Sequence, residues 1–249
     1  MLPILVLVHR RIDTLSRVLS AAELLHPSCI YLSGDAPRPD HEHDVDSVEK
    51  VWDFLDSYHF RQPVHFQRLT THGGLAQGVE KGISWFFSEV EAGLVLEDDV
   101  LVNPQTMRLA SLLARSYRDS SAVGSFTLFN PVPRRQLSDP FNPVRLSQLT
   151  SSLCWGSWSD RWSRSMRLNI KDLSWLSEDK LATIGNDRFV RYWVRRKQQI
   201  ESGQEEVSWE MRFLLAHWYH GWTTVVTTDN HALHIGFNSD ATNSTSRPR

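Results

Sequence analysis

The chain has 249 residues, of which 41% are hydrophobic, enough to bury one sizeable core or two small ones without a metal or disulfide staple. Its formal net charge of −2 supplies no polycationic footprint for a nucleic-acid backbone or an anionic membrane, so no nucleic-acid partner is expected. The two cysteines, Cys29 and Cys154, lie far apart with no ligand spacing, which excludes a disulfide framework or a structural zinc site and fits a reducing, cytoplasmic setting.

The first apolar run, PILVLV (3 to 8), has the continuous hydrophobicity of a parallel strand covered on both faces. It is too short to span a bilayer, ends at once in His9, Arg10 and Arg11, and has no basic region before it, so neither a signal peptide nor a transmembrane segment is expected. DTLSRVLSAAELL follows with apolar residues at helical spacing. CIYLSGD (29 to 35) reads as a second strand, and the charged stretch PRPDHEHD (37 to 44) as a loop before an amphipathic helix from about Val45 to Tyr58. PVHFQRL (63 to 69) is strand-like, HGGLAQGVEKGISWFFSEV (72 to 90) opens on glycines and continues as a helix, and GLVLE (93 to 97) is the next buried strand. Such alternation predicts an α/β fold with a mostly parallel central sheet flanked by helices. Sheets of this kind bind ligands beyond the carboxyl ends of their strands, where Asp35, His72 to Gly74 and Glu97 to Asp99 all fall.

Beyond Asn103-Pro104, a helix over about 105 to 118 leads to the strand AVGSFTLF. NPVPRRQLSDPFNPV (130 to 144) reads as a surface loop, open to roles as a lid or as a plain connector. CWGSWSDRWSRSM, the helices NDRFVRYWVRRKQQI and SWEMRFLLAHWYHGW, and the strand TTVVTT complete a helical half rich in tryptophan: eight of the ten tryptophans follow residue 150. Indoles either pack in a core or present a face to a flat ligand. NSTSRPR is expected to be unstructured.

The run LEDDV sets three acids, Glu97, Asp98 and Asp99, directly after a buried strand, where their mutual repulsion requires an offset. A solvated turn would serve. So would a hard divalent cation, because carboxylate oxygens suit Mg2+ or Mn2+, and Mg2+ takes only one or two protein carboxylates alongside water and phosphate.

An apolar strand ending in EDD, preceded by HGGLAQGVEKGISWFF, resembles the DXD region of GT-A-fold, nucleotide-sugar-dependent glycosyltransferases. It is similar to the N-acetylglucosaminyltransferases of N-glycan processing and to related bacterial sugar transferases. The other segments that carry the resemblance are PILVLVHRR with Arg17 downstream, SGD, WGSW, the late SWEMR, and HIGFNSDATN. It implies a single GT-A (Rossmann-like) domain over residues 1–240, with a nucleotide-binding half at 1–104, an acceptor-binding half at 105–240 and a flexible tail at 241–249. It also implies a metal-dependent enzyme moving a sugar from a nucleoside diphosphate, UDP by resemblance, to a saccharide or other hydroxyl acceptor with inversion. Asp99 would bind the Mn2+ or Mg2+ directly, with Asp98 and Glu97 towards the ribose or the metal's waters, and Asp35 would contact the base. His9, Arg10 and Arg17 lie on the nucleotide side, as does the His72-Gly73-Gly74 loop. Trp155 and Gly156 of WGSW also belong to the donor site by this likeness. Glu210 in SWEMR resembles the catalytic base, Trp209 before it could stack on the sugar, and Asp187 and then Asp160 are further candidates for the base. The end segment departs from the family's pattern: His234 precedes Ile235-Gly236, and Asn243 stands after Asp240-Ala241-Thr242, so either could take the late metal or diphosphate position. HEH at 41 to 43 is read as solvated. A nucleotidyltransferase would ordinarily carry a glycine-rich phosphate loop after its first strand, which HRRIDTLSR lacks. A catalytically silent sugar-binding module is the remaining alternative.

Overall fold

The computed structural model of the chain describes residues 1–236, so Phe237 to Asn243 of the end segment, and the tail beyond, lie outside the described residues. The elements are β1 (Ile4–Val8), α1 (Ile12–Glu23), β2 (Ile30–Gly34), α2 (Glu42–Ser57), β3 (Val64–Arg68), α3 (Gly74–Glu89), β4 (Ala92–Glu97), β5 (Val100–Val102), α4 (Thr106–Ser116), β6 (Val123–Thr127), β7 (Val144–Ser147), β8 (Trp155–Trp158), α5 (Ser159–Met166), α6 (Glu178–Ala182), α7 (Asp187–Glu201), α8 (Trp209–His220), β9 (Thr223–Thr227) and β10 (Ala232–His234). The expected alternation holds. The loop expected at 37 to 44 is shorter than its charge suggested: α2 begins at Glu42, and His41 and His43 are exposed.

Eight strands form one sheet in the order β3-β2-β1-β4-β8-β6-β9-β7. Pairing is parallel from β3 through β4 and again between β6 and β9. β8 is antiparallel to both its neighbours and β7 is antiparallel to β9, so the sheet is mostly parallel with two reversed strands. β1 sits inside the sheet and is buried along its whole length, as its unbroken apolar run requires. Its residues alternate between two cores. Ile4, Val6 and Val8 pack with Leu15, Val18 and Leu19 of α1, Val51 and Leu55 of α2, and Met107 and Ala110 of α4. Leu5 and Leu7 face Ile83, Phe86 and Phe87 of α3, together with Trp162 of α5 and Trp209 and Phe213 of α8. The result is a three-layer sandwich. A third cluster, with Leu181, Trp193, Leu215 and Trp218, joins α6, α7 and α8.

Gly156 belongs to this packing. It lies in β8 opposite Leu94 and Phe126, and a Cβ there would stand 2.3 Å from Phe126 Cζ and 2.7 Å from the Gly93 carbonyl oxygen. Only glycine lets the ring cross the sheet at that point. The donor-binding role expected of Gly156 therefore gives way to close packing inside the sheet. The 130 to 144 segment is largely exposed and carries a short 3-10 turn at Arg134–Gln136.

Candidate functional site

Register brings the site together. Val8 pairs with Gly34 and Leu7 with Glu97, so three adjacent parallel strands deliver His9 to Arg11, Asp35 and the Glu97-Asp98-Asp99 turn to the same sheet edge. That edge is where a parallel α/β sheet places its ligand.

In the acid turn, each carboxylate has a different environment. Asp98 is buried and its Oδ2 accepts a hydrogen bond from the His9 amide at 3.1 Å. Burial, and then the charge of Asp99, pushes its pKa up to about 7. Glu97 rises to about 8, from burial first and then from the charges of Asp99, Asp98 and Glu210. The Glu210 contribution puts that carboxylate and the acid turn in one electrostatic neighbourhood. Asp99 is 5% exposed; its Oδ2 is held by the Arg11 guanidinium and by His234 Nε2 at 3.2 Å, while its Oδ1 is buried and makes no hydrogen bond among the described residues.

His234 reaches this position through a second, two-stranded sheet. β5 and β10 pair antiparallel with His234 opposite Val100, and the Ile235 amide donates to the Asp99 carbonyl oxygen at 2.8 Å. Gly236 then covers Asp99 so closely that a Cβ would meet Asp99 Oδ2 at 2.1 Å and an Arg11 guanidinium nitrogen at 2.8 Å. The glycine of the end segment thus has a steric reason.

Asp35 spends its carboxylate on the neighbouring loop. Its oxygens accept from the amides of Gly73 (2.9 and 3.1 Å), Gly74 (2.8 Å) and Ala36 (3.0 Å), and His72 Nδ1 lies 3.0 Å from Oδ2 and 2.8 Å from the Ala36 carbonyl oxygen. The acid occupies the amino end of α3, where unsatisfied amides and the helix dipole favour an anion. It holds the His72-Gly73-Gly74 turn, in which Gly74 has φ +66°. Beside it, Asp44 in the first turn of α2 is buried between two cations, with Arg10 at 2.6 Å and an Arg38 terminal nitrogen at 2.9 Å. The hydrogen bond from Arg38, followed by those of Arg10, holds Asp44 far below the usual carboxylate range against the cost of its burial. Arg10 is therefore anchored at the edge of the site. Burial, with Arg10 beside it, lowers the pKa of His9 and favours a neutral ring.

Glu210 is exposed in the first turn of α8, behind the Ser208 cap, whose Oγ accepts from the Met211 amide at 3.3 Å. It lines a cavity of about 440 Å³ with Ser151, Ser152, Arg196, Met211 and Leu214. Trp209 does not offer a sugar platform: it is 4% exposed and its ring stacks on Trp155 at 5.7 Å, with Trp162 at 6.2 Å. Trp155 is likewise core, 1% exposed. Both indoles shape the site from beneath, because the β8 and α8 segments that carry them must pack on α3. Arg17 is exposed on α1, and Asp187 is exposed in the first turn of α7, whose Trp193 belongs to the third cluster. Asp160 is engaged by Arg161 at 2.8 Å and Arg118 at 3.5 Å. The roles of Arg11, Arg38, Asp44 and Gly236 escaped the sequence reading; the cluster HRR at a strand end was the available signal for Arg11. Asn243 lies outside the described residues.

Among the described residues, no group of three or more His, Cys, Asp and Glu side chains stands close enough to enclose an ion. Asp99 and His234 form a pair, with one Asp99 carboxylate oxygen unpartnered among the described residues. No helix among the described residues is long and apolar enough to cross a membrane.

No family model matches the chain, and comparison with curated proteins gave no match. Among solved structures, residues 1–349 of TarS from S. aureus superpose with a TM-score of 0.52 at 10% identity, over 92% of this chain and 58% of that one. This chain thus spans under two thirds of that structure. HddC from Yersinia pseudotuberculosis gives a TM-score of 0.31 at 13% identity, over 51% of this chain and 59% of that one, too low to carry an argument. The TarS likeness agrees with the strand order in assigning a GT-A-like, Rossmann-type α/β fold.

Proposed function

We propose that the chain is a metal-dependent glycosyltransferase that moves a sugar from a nucleoside diphosphate, UDP by preference, to an acceptor hydroxyl with inversion. The observation that carries this reading is the acid turn: three carboxylates at the ligand edge of the sheet, within reach of the Glu210 charge, with a buried and unpartnered Asp99 Oδ1. A hard-oxygen donor set of this kind, with the His234 imidazole beside it, fits Mn2+ or Mg2+. When bound, such a cation neutralises the departing diphosphate without needing a proton.

The protein's own groups would do the rest. Asp99 and His234 would hold the cation, beside the Arg11 guanidinium that holds Asp99 Oδ2. The loop held by Asp35 orients the nucleotide, with Arg10 fixed by Asp44 at the rim. The acceptor enters by the 440 Å³ cavity, and a Glu210 carboxylate oxygen takes the proton of its hydroxyl as the new C–O bond forms and the anomeric C–O bond to the diphosphate breaks. The α/β fold shared with residues 1–349 of TarS accommodates this reading.

Isothermal titration of UDP with and without Mn2+ tests it. Binding should be tight only with Mn2+, and Asp99→Ala should remove that dependence. Metal-independent binding of equal strength would falsify the proposed cation site.

A further inference from the structure

A second cavity, of about 570 Å³, opens at the far ends of α5 and α8 and is lined by Arg164, Arg167, Asn169, Trp175, Tyr219 and His220. Its size lies within the ordinary range of small-ligand sites, about 300–1,000 Å³. Tyr219 lies at the opposite end of α8 from Glu210, about 14 Å away at the helical rise of about 1.5 Å per residue.

One wall is aromatic and preorganised. Tyr219, 48% exposed, meets Trp175 edge-on at 5.2 Å and His220 at 5.0 Å, and His220 in turn stacks on Trp222 at 4.3 Å. Lys180 covers the Trp175 ring at 5.1 Å. The Trp175 Nε1 is buried and has no hydrogen-bond partner among the described residues, an exception that asks for an explanation. Rings fixed in this way lose little entropy on meeting the apolar face of a pyranose.

The other wall is cationic. Arg164 makes no ion pair among the described residues, and Arg167 uses only its Nε, which donates to the Ser163 carbonyl oxygen at 3.2 Å. Two guanidiniums in that state present forks suited to a carboxylate or phosphate. Counter-charges are modest. Asp172 is occupied by the Ser174 amide at 3.1 Å and lies within the field of Lys197. The carboxyl-end dipole of α8 also opposes an anion, but the Trp222 amide already caps the His217 carbonyl oxygen at 2.8 Å.

We propose that this cavity is a second saccharide-binding subsite that takes a sugar bearing a carboxylate or phosphate, with the anion on Arg164 and Arg167 and the ring against Tyr219. It is remote from the acid turn and does not depend on the glycosyltransferase reading.

Calorimetric titration of the whole chain tests it with four probes: tetragalacturonate, trehalose 6-phosphate, neutral maltotetraose and inorganic phosphate. At least one anionic sugar should bind about ten-fold or more tightly than both maltotetraose and phosphate. Whichever binds identifies the anion. Arg164→Gln/Arg167→Gln should weaken that binding about ten-fold or more, and Tyr219→Ala several-fold; these side chains are exposed, so the thermal midpoint should hold. Saturating UDP with Mn2+ should leave the affinity unchanged. The proposal is overturned if neither anionic sugar outbinds the neutral tetramer and inorganic phosphate, or if the double arginine variant binds as the parent does.

Discussion

Replacing Asp98 by asparagine should make the metal-free protein more stable, although the residue sits at the centre of the candidate site. The reasoning follows from the shift of its carboxyl from 3.8 to about 7, caused by burial and by Asp99. A carboxyl with a raised folded-state pKa binds more protons when folded. Its presence costs nothing below the unfolded value, and the cost grows as pH rises from about 4 to about 7 and stays constant above that. At about 1.4 kcal/mol per pH unit over about three units, the penalty at pH 8 is at most about 4 kcal/mol. Asparagine removes the charge, keeps the volume, and can still accept the His9 amide through its oxygen. For a chain of this size, about 2–4 °C of melting midpoint accompanies each kcal/mol, so Asp98→Asn should raise the midpoint by up to about 8–16 °C at pH 8 in EDTA. The gap should shrink towards pH 4. Saturating Mn2+ should narrow the gap, because a cation on Asp99 and His234 offsets the buried Asp98 charge that only the parent carries. Differential scanning calorimetry at pH 4, 6 and 8 reads all three effects. A variant that melts at or below the parent at pH 8 in EDTA would refute the electrostatic reasoning.

Glu210→Gln should leave calorimetric binding of UDP with Mn2+ within about two-fold of the parent while transfer falls by about 10²–10⁴, the usual share of general-base catalysis; retained turnover would move the base elsewhere. Asp35→Ala frees the Gly73 and Gly74 amides and should cost about 3 kcal/mol, seen as a lower denaturant midpoint and faster proteolysis at the His72 loop. Gly156→Ala forces its methyl group against Phe126 and the Gly93 carbonyl; it should lower stability by about 3 kcal/mol or prevent soluble expression, and a midpoint equal to the parent's would contradict the packing account.

The parallel half of the sheet was legible because β1, and the central residues of β2 and β4, are buried on both faces and read as short apolar runs. Short or interrupted strands were not. β5 and β10 have three residues each, and Gly156 and Ser157 in β8 hide an antiparallel strand behind small residues that the sheet centre demands. The acids and Glu210 stood out by residue type, and the structure brings them close enough for their charges to interact. Trp209 misled because an indole before an acid looks the same whether its face meets a sugar or Trp155. The hydrogen bonds of Asp35 were hidden for another reason: the amides of Gly73 and Gly74 that it satisfies belong to a helix start that no pattern at residue 35 announces. Arg11 and Asp44 became visible only when distant segments met.

The Asp99 carboxylate takes one partner, His234, from 135 positions further along the chain. A nascent polypeptide can pair β1, β2 and β4 early, since those strands lie within the first hundred residues and need nothing later to adopt their register. The pairing of β5 with β10, which sets His234 beside Asp99, must wait until residue 234 has been made and released. A chain stalled or truncated before that ladder closes would keep the His9 and Arg11 contacts to the acids but lack the His234 imidazole beside Asp99.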